Sequence, residues 1–250
     1  MSSIVLAPSF LSVLLVEAFK LRRSLALLLA SVAPGLVAGF LFFNLLRLEK
    51  AAPWPIALQG STAIWAFFML PMSVTALTAL VAHTEHGPRS WEHLRALPVP
   101  AWQLYAAKLL CVLLLVLGMH ALLALLTPAA LLAGGLLNPV AAPQGAMHFA
   151  GYLGLLGRVF LSAFLLIGLQ LWIALRYASF VPALATGIGG TFFAVVATSA
   201  KLGALLPWQI PVNQLASDPA RADLALALGC LGGALGFVAM LWHLARRELD

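Results

Sequence analysis

Six stretches of the chain contain no Asp, Glu, Lys or Arg: residues 24–46, 51–84, 109–157, 159–175, 177–200 and 224–245. A helix rises about 1.5 Å per residue, so about 20 mostly apolar residues cross the hydrocarbon core of a bilayer. Trimming the two long stretches at their Pro and Gly clusters gives six expected spans, near Ser24–Leu46, Ser61–Ala82, Leu109–Leu132, Tyr152–Leu175, Phe180–Ser199 and Leu224–Leu244. Of the 250 residues, 63% are hydrophobic and 9% charged, whereas about a quarter of a soluble domain is charged. A soluble globular protein is excluded. The apolar runs are continuous and rich in Leu and Ala, without the period-two alternation of a membrane β-barrel. The expected fold is an all-α membrane protein.

The formal net charge is +6. In a soluble chain such a balance would suggest nucleic acid, but here the basic residues border spans, so lipid is the expected contact and no nucleic acid is. With the N-terminus inside, nine basic residues fall on the inner side: Lys20, Arg22, Arg23, Arg89, Arg95, Lys108, Arg176, Arg246 and Arg247. Five fall outside: Arg47, Lys50, Arg158, Lys201 and Arg221. The excess favours both termini in the cytoplasm. The apolar start Ile4–Phe19 has no basic region before it and no clear small-residue cleavage site after it, so no cleavable signal peptide is expected.

No linker, low-complexity tract or internal repeat divides the chain, and one bundle is expected. Before the first span, Ser9–Arg23 reads as an amphipathic interfacial helix, with Phe10, Leu14, Ala18 and Leu21 at helical spacing and Glu17, Lys20 and Ser24 on another side. Gly35/Gly39 in the first span, and Gly229/Gly233 and Gly232/Gly236 in the sixth, have the spacing that lets helix backbones approach closely. The sixth-span pairs suit packing within the bundle, and the first-span pair suits that or a subunit interface. The outer stretch Ala133–Gly151 is too broken by Gly134-Gly135, Pro139 and Pro143 to span, and is expected as an interfacial loop. Cys111 and Cys230 fall at different depths, too far apart for a disulfide.

Several chemistries find no residues to carry them. None of the four lysines is followed by Ser or Thr, so there is no P-loop. No Gly-x-Ser-x-Gly elbow, His-Glu-x-x-His zinc motif or Asp-rich magnesium constellation occurs. His83, His86 and His93 with Glu85 and Glu92 do not complete a four-ligand metal set. The ionisable groups clearly within spans are His120, expected in an interhelical hydrogen bond, and Arg158, expected to snorkel to the outer interface.

Information is concentrated in the inner connection His83–Lys108, where charge and Trp cluster. Ser90 is a plausible N-cap, and Pro98 ends any helix before it. The resulting two-turn helix, Ser90–Leu97, aligns Trp91, Leu94 and Leu97 at spacing three, away from Glu92, His93 and Arg95. So short a helix needs something to pack on, either the membrane surface or a groove in another protein.

The run Glu85-x-Gly87, Trp91-Glu92-x-Leu94, Leu97-Pro98-Val99 and Leu104-Tyr105-x-x-Lys108 resembles the inner segment of ABC type-2 permeases. That pattern has a Glu, a Gly-containing turn, Glu-x-Leu, a Pro-Val pair and a Lys opening the third span. Pro207-Trp208-Gln209-Ile210-Pro211 is similar to the branch that includes lantibiotic and bacitracin immunity permeases. The chain departs from the family where Gly-Thr precedes the second Glu and an Arg follows the Pro-Val pair, having Ser90-Trp91 and Pro100-Ala101 there. The resemblance implies a single permease domain of six transmembrane helices behind an interfacial helix, in a bacterial plasma (inner) membrane.

It also implies a partner ABC ATPase, in two copies, which binds the ATP and magnesium that this chain does not. A second permease chain, identical or related, completes the complex. The site implied is a coupling segment of Glu85, Gly87, Trp91, Glu92, Leu94, Leu97 and Pro98. The activity implied is export of a hydrophobic or amphipathic cargo, such as an antimicrobial peptide in an immunity role. The rival readings are a stand-alone channel or secondary transporter, and an intramembrane enzyme.

Overall fold

The structure, a computed structural model, describes residues 9–86, 99–197, 203 and 205–247, and the regular elements named among them are all helical. Helix α1 (Phe10–Leu21) is capped by Ser9 and ends at an elbow where Arg23 takes a left-handed backbone conformation, φ 66°. Ser24 then caps α2 (Leu25–Leu45). Next come α3 (Trp54–Ile64), a π-turn (Trp65–Met69) and α4 (Leu70–His86), which form one continuous rod of 33 residues. The wide turn sits where Pro71 has no N–H to return to Phe67, and Leu70 N–H instead reaches back to Trp65 C=O.

Helix α5 (Ala101–Leu137) is followed by α6 (Phe149–Ser162), α7 (Phe164–Arg176), α8 (Val181–Val196), α9 (Pro219–Ala227), a second π-turn (Leu228–Gly232) and α10 (Gly233–Arg247). Helices α6 and α7 form one rod, as do α9 and α10 across their π-turn. Five helical rods are long and apolar enough to cross a bilayer; α8, with 16 residues, is shorter.

The core lies where α2 packs along α5 and where α4 runs against α2, α7 and α8. Trp65, Leu70, Leu77, Met119, Leu123, Leu166, Ile167 and Leu171 are fully buried there. The sixth-span glycines pack within the bundle. A Cβ on Gly229 would meet the Ser162 backbone, and one on Gly233 would meet Phe164 and Leu165. A Cβ on Gly35 or Gly39 would meet nothing within 4 Å, and Leu28, Val32, Leu36, Phe40 and Phe43 of α2 are exposed.

Two of the segments between rods pack back on the bundle. Helix α5 continues through Gly134-Gly135 to Leu137, because the next residues fold back on it. Asn138 donates to the carbonyls of Leu45, the last residue of α2, and of Leu48 just beyond it, and Gln144 exchanges backbone hydrogen bonds with Ala52 and Trp54. The stretch is thus a packed cap on the bundle end. Trp208 lies against the open face of Gly190, with Ile210 buried beside it and Gln209 donating to the Ala194 carbonyl.

Candidate functional site

Four charged side chains meet where α4 and α5 approach α1. Lys20 Nζ donates to Glu17 Oε1 at 2.7 Å and to Glu85 Oε1 at 2.7 Å. Lys108 Nζ donates to Glu17 Oε2 at 2.6 Å and to the same Glu85 Oε1 at 2.9 Å. Among the described residues, two ammonium groups and two carboxylates therefore alternate around a ring whose formal charges balance. Lys108 is 0% exposed, Glu85 2% and Glu17 4%; of the four, Lys20 alone is partly accessible, with 30% of its side chain exposed.

Local structure explains the ring. Glu17 and Lys20 stand three apart on α1 and so share one face. That face turns inward, leaving Leu11, Leu15, Val16 and Phe19 on the outside. Phe10 stacks on Trp102, with ring centroids 6.3 Å apart and planes 11° from parallel, and Val13 packs with Leu104 and Ala107. These contacts seat α1 on the first turns of α5 and keep water from the ring. Burial works against charge on Lys20, but the hydrogen bonds and charges of Glu17 and Glu85 outweigh it and hold its ammonium pKa above the ordinary value.

A satisfied, balanced cluster of this kind holds geometry; deleting one member strands an unpaired charge in a low-dielectric interior, at a cost of about 3–5 kcal/mol. Its position gives that rigidity a use. Glu85 and Lys108 flank residues 87–98 on either side, and both are tied to α1, so the two ends of that connection and α1 form one clamped unit. Of the site residues expected from sequence, the structure places Glu85 in the clamp; Gly87, Trp91, Glu92, Leu94, Leu97 and Pro98 lie outside the described residues, as does the two-turn helix they would form. Lys108 stood in the motif without a role, and Glu17 and Lys20 were legible as one polar face of α1, though nothing in the sequence assigned them a partner.

A second polar cluster lies deeper. Trp65 Nε1 donates to His120 Nε2 at 3.1 Å, so the imidazole proton sits on Nδ1, 2.8 Å from the Val116 carbonyl. His120 is thus in the interhelical hydrogen bond expected of it. Ser61 and Thr127 pair at 2.9 Å on the same two rods. Arg158 does not simply snorkel: its guanidinium bonds Gln214 at 3.0 Å and Asp223 at 2.6 Å, tying α6 to the segment before α9 and to α9 itself.

The described residues form an apolar bundle of candidate membrane rods with a clamped charge cluster flanking residues 87–98. The family model described as ABC-2 family transporter protein matches residues 13–197, and the chain belongs to that family. The match includes all four members of the ring and the whole 83–108 connection. No curated protein matches the chain, and no solved structure does. As an ABC-2 permease subunit it works with an ABC ATPase, the partner this family generally has.

Proposed function

We propose that the chain is the membrane subunit of an ATP-driven exporter and that residues 83–108 form its coupling segment, docked on a separate ATPase. In this reading Trp91, Leu94 and Leu97 seat in a groove of the ATPase, Glu92 and the Gly87–Pro98 frame orient them, and Glu85 anchors the segment to the bundle. The observation that carries it is the ring of Glu17, Lys20, Glu85 and Lys108, because it ties the flanks of the segment to α1 and, through the Arg23 elbow, to α2. Force applied to the segment would therefore move α1 and the start of α2 rather than dissipate in a slack loop.

Two permease chains and two ATPases make the working unit, in a bacterial inner membrane with both permease termini cytoplasmic. ATP and magnesium bind on the ATPases, and their closure tilts the bundles between two states. Transport then requires cargo to bind the two states with different affinity. The exposed apolar faces of α2 and of α9–α10 suit a pathway for hydrophobic or amphipathic cargo, such as an antimicrobial peptide exported for immunity. A stand-alone channel or secondary transporter would be expected to carry paired ionisable groups at mid-membrane; His120 is instead hydrogen-bonded to Trp65 and Val116.

Purification after mild solubilisation tests this. The ATPase should copurify with the wild-type chain, and Trp91→Asp with Leu94→Asp should release it and abolish ATP-dependent transport. Transport by the chain alone, or intact ATP-dependent transport in the double variant, overturns the proposal.

A further inference from the structure

Three basic residues, Lys20, Arg22 and Arg23, crowd the elbow between α1 and α2, and the structure divides their work. Lys20 turns inward to the ring. Arg22 and Arg23 are exposed, and among the described residues neither forms an ion pair. Arg23 also occupies a backbone conformation, φ 66°, that glycine would adopt with less strain. A guanidinium is held there at a conformational cost.

Beside the elbow opens an apolar groove of about 340 Å³. One wall is α1, with Leu15, Ala18 and Phe19; the other is Leu27 of α2 and Cys111, Leu114 and Leu115 of α5; Arg22 stands at its rim. The groove runs between an interfacial helix and two membrane rods, so its depth faces hydrocarbon and its rim faces headgroups.

We propose that this groove is a binding site for one anionic phospholipid, with an acyl chain against Leu27, Leu114 and Leu115 and the phosphodiester on Arg22 and Arg23. Charge complementarity selects the occupant: the Arg22 guanidinium lines the apolar slot and that of Arg23 follows it at the exposed elbow, so the pair matches an amphiphile with a negative head, and a zwitterionic lipid would gain less from them. The bound lipid would wedge α1 against α5 on the side opposite the ring and so brace the same helix that the ring clamps. The site stands independently of the proposed transport cycle.

Native mass spectrometry of the purified full chain in detergent tests it, with dioleoylphosphatidylglycerol and dioleoylphosphatidylcholine as probes. Wild-type chain should retain the glycerol lipid at lower concentration than the choline lipid. Arg22→Gln with Arg23→Gly, which keeps the elbow's backbone conformation, should weaken retention of the anionic lipid by about tenfold and leave the choline lipid unchanged. Ala18→Phe, at an exposed position on the groove wall, should block both. Thermal melting identifies any variant that fails to fold, and the other then decides. Equal retention of the two lipids by wild type, unchanged retention in the arginine variant, lipid bound only to the monomer because a second copy covers the groove, or free glycerol phosphate competing as well as the lipid would each overturn the proposal.

Discussion

Lys108, fully buried in the second turn of α5, donates to Glu17 of α1 at 2.6 Å across a separation of 91 residues. The same ammonium reaches Glu85 at 2.9 Å. Removing it takes one of the two ammonium groups that Glu17 and Glu85 share among the described residues. Lys108→Met should therefore destabilise the chain by about 3–5 kcal/mol, measured as loss of folded protein in a detergent unfolding titration. Adding Glu17→Gln removes one of the stranded charges, so the double variant should be more stable than Lys108→Met alone. Additive losses would show that the two do not act as a pair.

Glu85→Gln separates anchoring from docking. The amide keeps the size of the side chain and loses its charge, while Trp91, Leu94 and Leu97 are untouched. The expected outcome is an ATPase that still copurifies and still hydrolyses ATP, with transport per ATP reduced several-fold. Loss of copurification equal to that of the Trp91/Leu94 variant would place Glu85 in the docking surface itself.

His120→Ala should lower stability by about 1–3 kcal/mol, because it leaves the buried Trp65 N–H without its acceptor and opens space beside Phe160. Trp65→Phe removes the donor and should cost less at the hydrogen bond. If His120 carried protons or cargo, its replacement would stop transport with the melting temperature unchanged, and that pattern would refute the structural role.

The two glycine sets should respond in opposite ways. Gly229→Ala pushes a methyl into the Ser162 backbone and should destabilise the monomer by about 1–3 kcal/mol. Gly35→Ala and Gly39→Ala have open space within the chain and should leave the monomer unchanged or stabilise it by about 0.5–1 kcal/mol each. Any loss from that pair would appear in permease–permease association, read by crosslinking or size exclusion. A destabilised monomer would refute the open face.

Charge-free length alone was enough to place the membrane rods, because crossing hydrocarbon is a local demand that each segment meets by itself. Five rods meet it, with Val181–Val196 the short sixth helix. Helix α1 and its polar side were equally local, being written in three- and four-residue spacing. The motif around residues 83–108 carried the family. Which charges meet was another matter. Lys20 and Glu85 are 65 residues apart and Lys108 and Glu17 are 91 apart, and nothing in either neighbourhood encodes the other. Only the docking of α1 on α5, set by Phe10 on Trp102 and Val13 on Leu104, turned Glu17 inward to close the ring. The fate of Arg158 likewise depended on where α9 packed. Sequence determines each rod because solvation acts residue by residue; tertiary structure decides the partners because a buried charge takes whatever opposite charge packing brings within reach.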